Sequence, residues 1–312
     1  MKVIRFGSKY PGKLSLALGF FDCVHLGHRA IIESAAGLAR EMGAETAVFT
    51  FDNDPFEILG RGEKLVYTFD ERCKLLSDAG ADAVMAASFS TDFARMPAED
   101  FLRALSESCD LSAITCGPDY RYGYNGEGDT RSLAAFCERR GIRFRVVPFV
   151  EHNGVKVSST AARGFIEKGD IESANRFLGA PYFISGRVEH GRAVGRRLSY
   201  PTINLSYSAH PSNRLRVCSG VYATRTTVGG KTYPSITNAG DKPTFGVAGY
   251  GIETYIIDYN NDIYGLGVRV EFLRYMRPIH TFGGAEELRE QLDADVQNRR
   301  RMENGGLFKH ET

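Results

Sequence analysis

Leu14-Ser15-Leu16-Ala17-Leu18-Gly19-Phe20-Phe21-Asp22-Cys23-Val24-His25-Leu26-Gly27-His28 reads as a short apolar strand running into a turn, after which a helical pattern opens and continues to Glu41. Anions bind well where a strand end meets a helix N-terminus, because free N–H groups and the helix dipole converge there. His25 and His28 stand three residues apart, and Gly27 between them allows close backbone approach. The pair can direct two imidazole donors at one phosphate chain, stabilising charge that grows on phosphate oxygens during transfer. Metal binding by the same pair is the competing reading, but no third ligand follows at a fixed spacing.

The same alternation extends outward. Leu14–Phe20, Thr46–Phe51, Ala83–Ala87, Ala113–Cys116 and Phe144–Val147 are expected strands. His28–Glu41, Phe69–Ala79, Ala98–Ser108 and Arg131–Arg140 are the expected helices between them. Strands that alternate with helices predict an α/β domain whose parallel sheet is covered on both faces. His152-Asn153-Gly154 signals a tight hairpin, and Ser159–Lys168 and Ile171–Leu178 predict two helices ending at Gly179, with Pro181 beyond. From Tyr182 the pattern changes to strands: Ile184–Glu189, Val221–Val228, Lys231–Ile236, Ile252–Tyr259 and Val268–Phe272. One helix, Ala285 to about Arg301, closes the series. Many short strands and a single helix predict a small β-barrel. The expected domains are therefore 1–180 and 181–312.

Composition bounds what such a chain does. Its 312 residues, 43% hydrophobic and 25% charged, fit two globular domains. Lys plus Arg number 39 against 38 acidic residues, a balance that argues against a dedicated nucleic-acid partner. The basic stretches Arg187–Arg197 and Arg299–Arg301 are read as solvated faces. Six cysteines without C-x-x-C or zinc spacing read as reduced thiols, which points to the cytoplasm. Basic Met1–Lys13 before apolar Leu14–Phe21 mimics an export signal. The apolar run ends in Asp22 and is too short for a bilayer, so a buried strand and no membrane partner are expected. The sequence leaves a homo-oligomer open.

A second constellation lies in the strand-rich half. Gly186-Arg187-Val188-Glu189-His190-Gly191-Arg192-Ala193-Val194-Gly195-Arg196 is a glycine- and arginine-rich loop, with Gly191 and Gly195 as candidate phosphate contacts. It leads to Pro201-Thr202-Ile203-Asn204, where Thr202 and Asn204 project on one face of extended chain and offer hard oxygen ligands for Mg²⁺. Gly220-Val221-Tyr222, Asn238-Ala239-Gly240-Asp241-Lys242-Pro243-Thr244 and Ile252-Glu253 follow in order.

The first constellation resembles the nucleotidyl transferases, whose H-x-G-H motif binds ATP phosphates. Their Ser-Ser-Thr-x-x-Arg element is matched by Ser158-Ser159-Thr160-Ala161-Ala162-Arg163. The second resembles riboflavin kinase, and the whole chain is similar to the prokaryotic bifunctional riboflavin kinase/FAD synthetase family. The resemblance implies a nucleotidyl transferase domain followed by a six-stranded barrel. Riboflavin, FMN, FAD and ATP are the implied substrates or products, with Mg²⁺ as cofactor. It also implies Glu253 as catalytic base in the barrel, Thr202 and Asn204 as metal ligands, and His25 and His28 as catalytic donors. Gly19, Phe21, Asp22, Ser159, Thr160 and Arg163 are the implied ATP contacts; it assigns no flavin contact. The chain departs from the pattern at Cys23 (usually Gly), Asp54 (usually His before Pro55), Ala161 (usually basic) and Ala180 (usually Arg), with Ser199-Tyr200 for Gly-Phe. A carboxylate at 54 is expected to repel phosphate unless it points away or serves a metal. The alternatives are a kinase with a non-catalytic N-terminal domain, and a flavin- or RNA-binding regulator.

Overall fold

The computed structural model describes residues 1–189, 200–205, 213–241 and 250–304. They form two compact units, Met1–Ser159 and Thr160–Thr312.

The first unit is built on a six-stranded sheet: β1 (Lys2–Arg5), β2 (Lys13–Leu18), β3 (Glu45–Phe51), β4 (Ala83–Ala87), β5 (Asp110–Cys116) and β6 (Arg143–Val146). All strands pair in parallel in the order β1-β4-β3-β2-β5-β6. The central strands carry apolar residues on both faces, as Leu14, Leu16, Leu18, Ala47, Val48 and Met85 show, because helices cover each side. Those helices are α1 (Leu26–Met42), α2 (Pro55–Ile58), α3 (Phe69–Asp78), α4 (Thr91–Ala94), α5 (Ala98–Ser108) and α6 (Thr130–Arg140). Chain order reverses between β2 and β5. In open α/β sheets that reversal opens a crevice at the carboxyl ends of the strands, where ligands are received. The Leu14–Phe21 run is thus a buried strand and its turn. A two-stranded hairpin, β7 (Glu151–His152) and β8 (Val155–Lys156), turns through Asn153 and Gly154 at φ 51° and 75°.

Two helices, α7 (Ser159–Lys168) and α8 (Ile171–Leu178), open the second unit. α8 buries Ile171, Ala174, Phe177 and Leu178, and its Asn175 donates to the Phe272 carbonyl at 2.9 Å and accepts from Tyr182 N–H at 2.7 Å. The boundary expected at 180/181 falls after these helices, which group with the strands that follow rather than with the sheet.

Those strands are β9 (Tyr182–Glu189), β10 (Thr202–Leu205), β11 (Gly220–Val228), β12 (Lys231–Asp241), β13 (Tyr250–Ile256) and β14 (Gly267–Arg277). They close in the order β10-β13-β12-β11-β14-β9, the six-stranded barrel that the resemblance implied. Cross-strand partners share a face, so the pairs Thr224↔Ser235 and Thr237↔Thr254 point together. Inside the barrel Thr226, Ser235, Thr224, Thr237 and Thr254 form an unbroken line of hydroxyl–hydroxyl contacts at 2.8–2.9 Å. All five are fully buried. Tyr182, Tyr222 and Phe272 are also buried, joined by edge and tilted ring contacts. The terminal helix α9 (Ala285–Asn304) packs Val296 against Val221, Ile236 and Ile257. Arg299, expected on a solvated face, is instead fully buried and donates twice to the Thr224 carbonyl.

Candidate active sites

At the end of β2 the backbone enters a tight excursion. Phe21 and Val24 both adopt positive φ, 54° and 45°, conformations that cost a non-glycine side chain energy and persist only where surroundings enforce them. Three contacts enforce them. The Asp22 carboxylate accepts from Val66 N–H at 3.0 and 3.3 Å. The Phe20 carbonyl accepts from the Thr50 hydroxyl at 2.6 Å and from Arg72 at 3.3 Å. The Phe21 ring, fully buried, meets His28 edge-on at 5.0 Å. A Cβ on Gly19 would lie 2.8 Å from that ring, so only glycine fits there.

His25 caps α1: its Nδ1 accepts from His28 N–H at 3.1 Å. An Nδ1 that accepts leaves the proton of neutral His25 on Nε2, available as a donor. The two imidazoles stack at 3.6 Å between centroids, 11° from parallel. A Cβ on Gly27 would stand 3.1 Å from the His25 ring, so this glycine makes room for the imidazole itself. Burial pushes the His25 pKa down to about 4, and burial together with the neighbouring His25 pushes His28 well below its ordinary value. Both rings are therefore neutral hydrogen-bonding groups at pH 7. His28 Nδ1 is buried with no partner among the described residues.

Asp22 is 2% exposed and works within the loop rather than on its surface. Cys23 fits where the family has glycine, its thiol 3.7 Å from Asp22 and 3.9 Å from the Ser159 carbonyl. Ser159 thus lies beside the loop, whereas Thr160 and Arg163 follow on α7 in the second unit. Asp54 also has a structural role. It is the N-cap of α2, accepting from Phe56 N–H at 2.9 Å, and is largely buried. One of its carboxylate oxygens is thus engaged by the helix backbone.

In the second unit Thr202, Asn204 and Glu253 come together on the outer face of the barrel. Asn204 stands opposite Glu253 across β10–β13, and Thr202 lies two residues along on the same face. The Thr202 hydroxyl donates to Glu253 Oε1 at 2.6 Å, a charge-assisted length. Its proton so engaged, the oxygen presents lone pairs outward. Two residues join this row unforeseen: Glu189 opposite Asn204 on β9, and Asn238 opposite Glu253 on β12. Glu189 lies on an expected strand, whereas Asn238 lies past the expected Lys231–Ile236, on the longer β12, and only barrel closure brings β9 beside β10. A cleft of about 230 Å³ adjoins Thr202, walled by Pro201, Ile203, Ile256 and the turn from Tyr259 to Tyr264. Tyr200, just before β10, donates to Asp293 on α9 and meets Tyr255 edge-on at 5.1 Å. Gly191, Gly195 and Lys242-Pro243-Thr244 lie outside the described residues.

Residues 8–161 match the family model described as FAD synthetase, and residues 178–303 the one described as riboflavin kinase. A bifunctional riboflavin kinase/FMN adenylyltransferase of Listeria monocytogenes is 34% identical over 289 residues, 91% of each chain. Its counterpart in Bacillus subtilis is 32% identical over 299 residues, again 91% of each. A solved structure described as a macrolide-efflux protein from Streptococcus pneumoniae superposes with a TM-score of 0.85 at 28% identity, covering 96% of this chain and 99% of the other. No helix among the described residues is long and apolar enough to cross a membrane.

Proposed function

We infer the work of each site from one premise: the chain belongs to the family of bifunctional riboflavin kinases/FMN adenylyltransferases. It phosphorylates riboflavin to FMN and adenylylates FMN to FAD, with ATP as donor in both reactions. The observation that carries the double assignment is the stacked, neutral His25–His28 pair at the N-terminus of α1. An intact donor pair there favours catalysis over a non-catalytic N-terminal module, despite Cys23 and Asp54.

In the barrel, Glu253 takes the proton of the ribityl 5′-hydroxyl as that oxygen attacks the γ-phosphorus of ATP and ADP leaves. Thr202 holds Glu253 by the 2.6 Å hydrogen bond, so the carboxylate faces one way before substrate arrives. The donor set of Thr202 and Asn204 beside a carboxylate suits Mg²⁺, which keeps several waters and substrate oxygens in its shell. Bound there with ATP, Mg²⁺ would neutralise phosphate charge. The cleft beside Thr202 places open space next to these oxygens.

In the first unit an oxygen of the FMN phosphate attacks the α-phosphorus of ATP, and pyrophosphate leaves. A phosphate monoester is already anionic at pH 7, so no protein base is needed. The residues position and stabilise: His25 Nε2–H, His28 and the first N–H groups of α1 face the developing charge. Ser159, beside the loop, supplies a further phosphate contact. All six cysteines are free, which supports a reducing, cytoplasmic setting. The near-neutral charge supports small molecules rather than nucleic acid as partners. Product analysis decides the scheme: purified protein with riboflavin and MgATP should accumulate FMN and then FAD. Accumulation of FMN alone, with added FMN left unconverted, would reduce the protein to a kinase.

A further inference from the structure

Arg72 on α3 is 1% exposed, yet its guanidinium reaches three acceptors at the carboxyl ends of β2 and β3. Nη1 donates to the Thr50 hydroxyl at 2.8 Å and to the Phe20 carbonyl at 3.3 Å, and Nη2 donates to the Phe51 carbonyl at 2.7 Å. The rings of Phe20 and Phe69 lie 5.1 and 5.5 Å from its central carbon. Its Nε is buried without a partner among the described residues. Burial alone weakens such a cation, while the charges of Asp22 and, less strongly, Asp52 and Asp54 sustain it.

Stability is a weak reason to keep this group, since well-packed apolar side chains commonly replace buried charges without loss. Its location gives a stronger reason. The Phe20 carbonyl belongs to the peptide whose rotation sets φ of Phe21. Arg72 and Thr50 both hold that carbonyl, so together they fix the left-handed turn from which Asp22, Val24 and His25 follow. The same guanidinium stands among carboxylates at the edge where the phosphates of ATP are received, including the unusual Asp54.

We propose that Arg72 is a positioning residue for adenylyl transfer: its guanidinium fixes the Phe20–Phe21 peptide, and so the His25–His28 pair, while its charge offsets Asp22, Asp52 and Asp54. This rests on the placement of adenylyl transfer at His25 and His28.

The test uses the full chain with FMN supplied directly and ATP varied, for Arg72→Met, Arg72→Lys and His28→Ala. Riboflavin phosphorylation in the same preparations reports on the separate barrel unit. A misplaced catalytic group costs about 10²-fold. Arg72→Met should therefore lower kcat for FAD formation by about that factor with a smaller change in KM for ATP, at a temperature where circular dichroism shows the first unit folded. Arg72→Lys, which keeps the charge but not the fork, should recover part of the loss. Kinase turnover should not change. A folded Arg72→Met with kcat within threefold of the parent overturns the proposal. Should Arg72→Met not fold, Arg72→Lys decides: a fivefold or larger fall in kcat with an intact melting transition supports positioning, and unchanged kcat overturns it. His28→Ala that still makes FAD normally would instead remove the underlying placement of the site.

Discussion

Replacing Glu253 by Gln separates two roles that the barrel site combines. The substitution keeps side-chain volume and one acceptor oxygen for the Thr202 hydroxyl, now 2.6 Å from a carboxylate. Exchanging a charge-assisted hydrogen bond for a neutral one costs about 1 kcal/mol, because the two kinds contribute roughly 1.5–3 and 1 kcal/mol. That is less than tenfold, and it falls on the positioning of the strand pair and its ligands. Loss of the base is larger: about 10²–10⁴-fold in kcat, or roughly 3–5 kcal/mol of transition-state stabilisation. The expected signature is kcat for FMN formation down at least a hundredfold, with KM for riboflavin and ATP within tenfold. Conversion of supplied FMN to FAD should hold, since it occurs in another unit. Steady-state assays of both half-reactions on one preparation read all these quantities. Kinase turnover within threefold of the parent would remove Glu253 from the proton transfer.

Thr202→Ala should raise the Mg²⁺ concentration for half-maximal kinase rate by about tenfold, the size of one lost oxygen contact with a charged group; an unchanged Mg²⁺ titration would leave Thr202 as an orienting residue only. His25 should make the first unit acid-sensitive. The unfolded ring protonates near 6.5 and the folded one only near 4. The stability it contributes is therefore present above pH 6.5 and is lost as pH falls through that window, on the order of 3 kcal/mol in all. His25→Asn keeps a good helix cap without the titration, so melting temperatures between pH 4 and 7 should vary less in the variant; an identical pH slope would point to other groups. Asp54→Asn likewise retains the cap on Phe56 N–H and should speed FMN adenylylation by up to about tenfold, the scale of partly screened repulsion. Asp54→Ala should cost about 1 kcal/mol of stability, and a slower Asp54→Asn enzyme would show that the charge serves the reaction.

Both architectures were legible where pattern and local chemistry agreed. Ala98–Ser108, Ser159–Lys168 and Ile171–Leu178 are helices to the residue, because apolar spacing and end signals coincide there. β1 was missed: Lys2–Arg5 is an edge strand with only Ile4 buried, so no apolar run announces it. The sequence placed His25 beside His28 but gave no hint of the positive φ at Phe21 and Val24, since an aromatic and a β-branched residue argue against that conformation. Arg72 was invisible for a related reason: an arginine on an amphipathic helix reads as surface. Glu189 could be assigned to a strand, but its neighbour Asn204 is set by which strands close the barrel.

The line of hydroxyls inside the barrel limits how that interior can change over generations. Five hydroxyls joined by four contacts hold five protons, so one is left to find an acceptor beyond the line, and the direction of every link depends on which one that is. Converting Thr224 alone to Val would preserve shape yet leave Ser235 and Thr237 each short of a neighbour at once, the costly kind of loss for buried polar groups. Converting all five to apolar residues removes the demand altogether. Single steps along that path should be worse than either end. Related chains are then expected to hold these positions as a block, all hydroxyl or all apolar, with mixed sets rare.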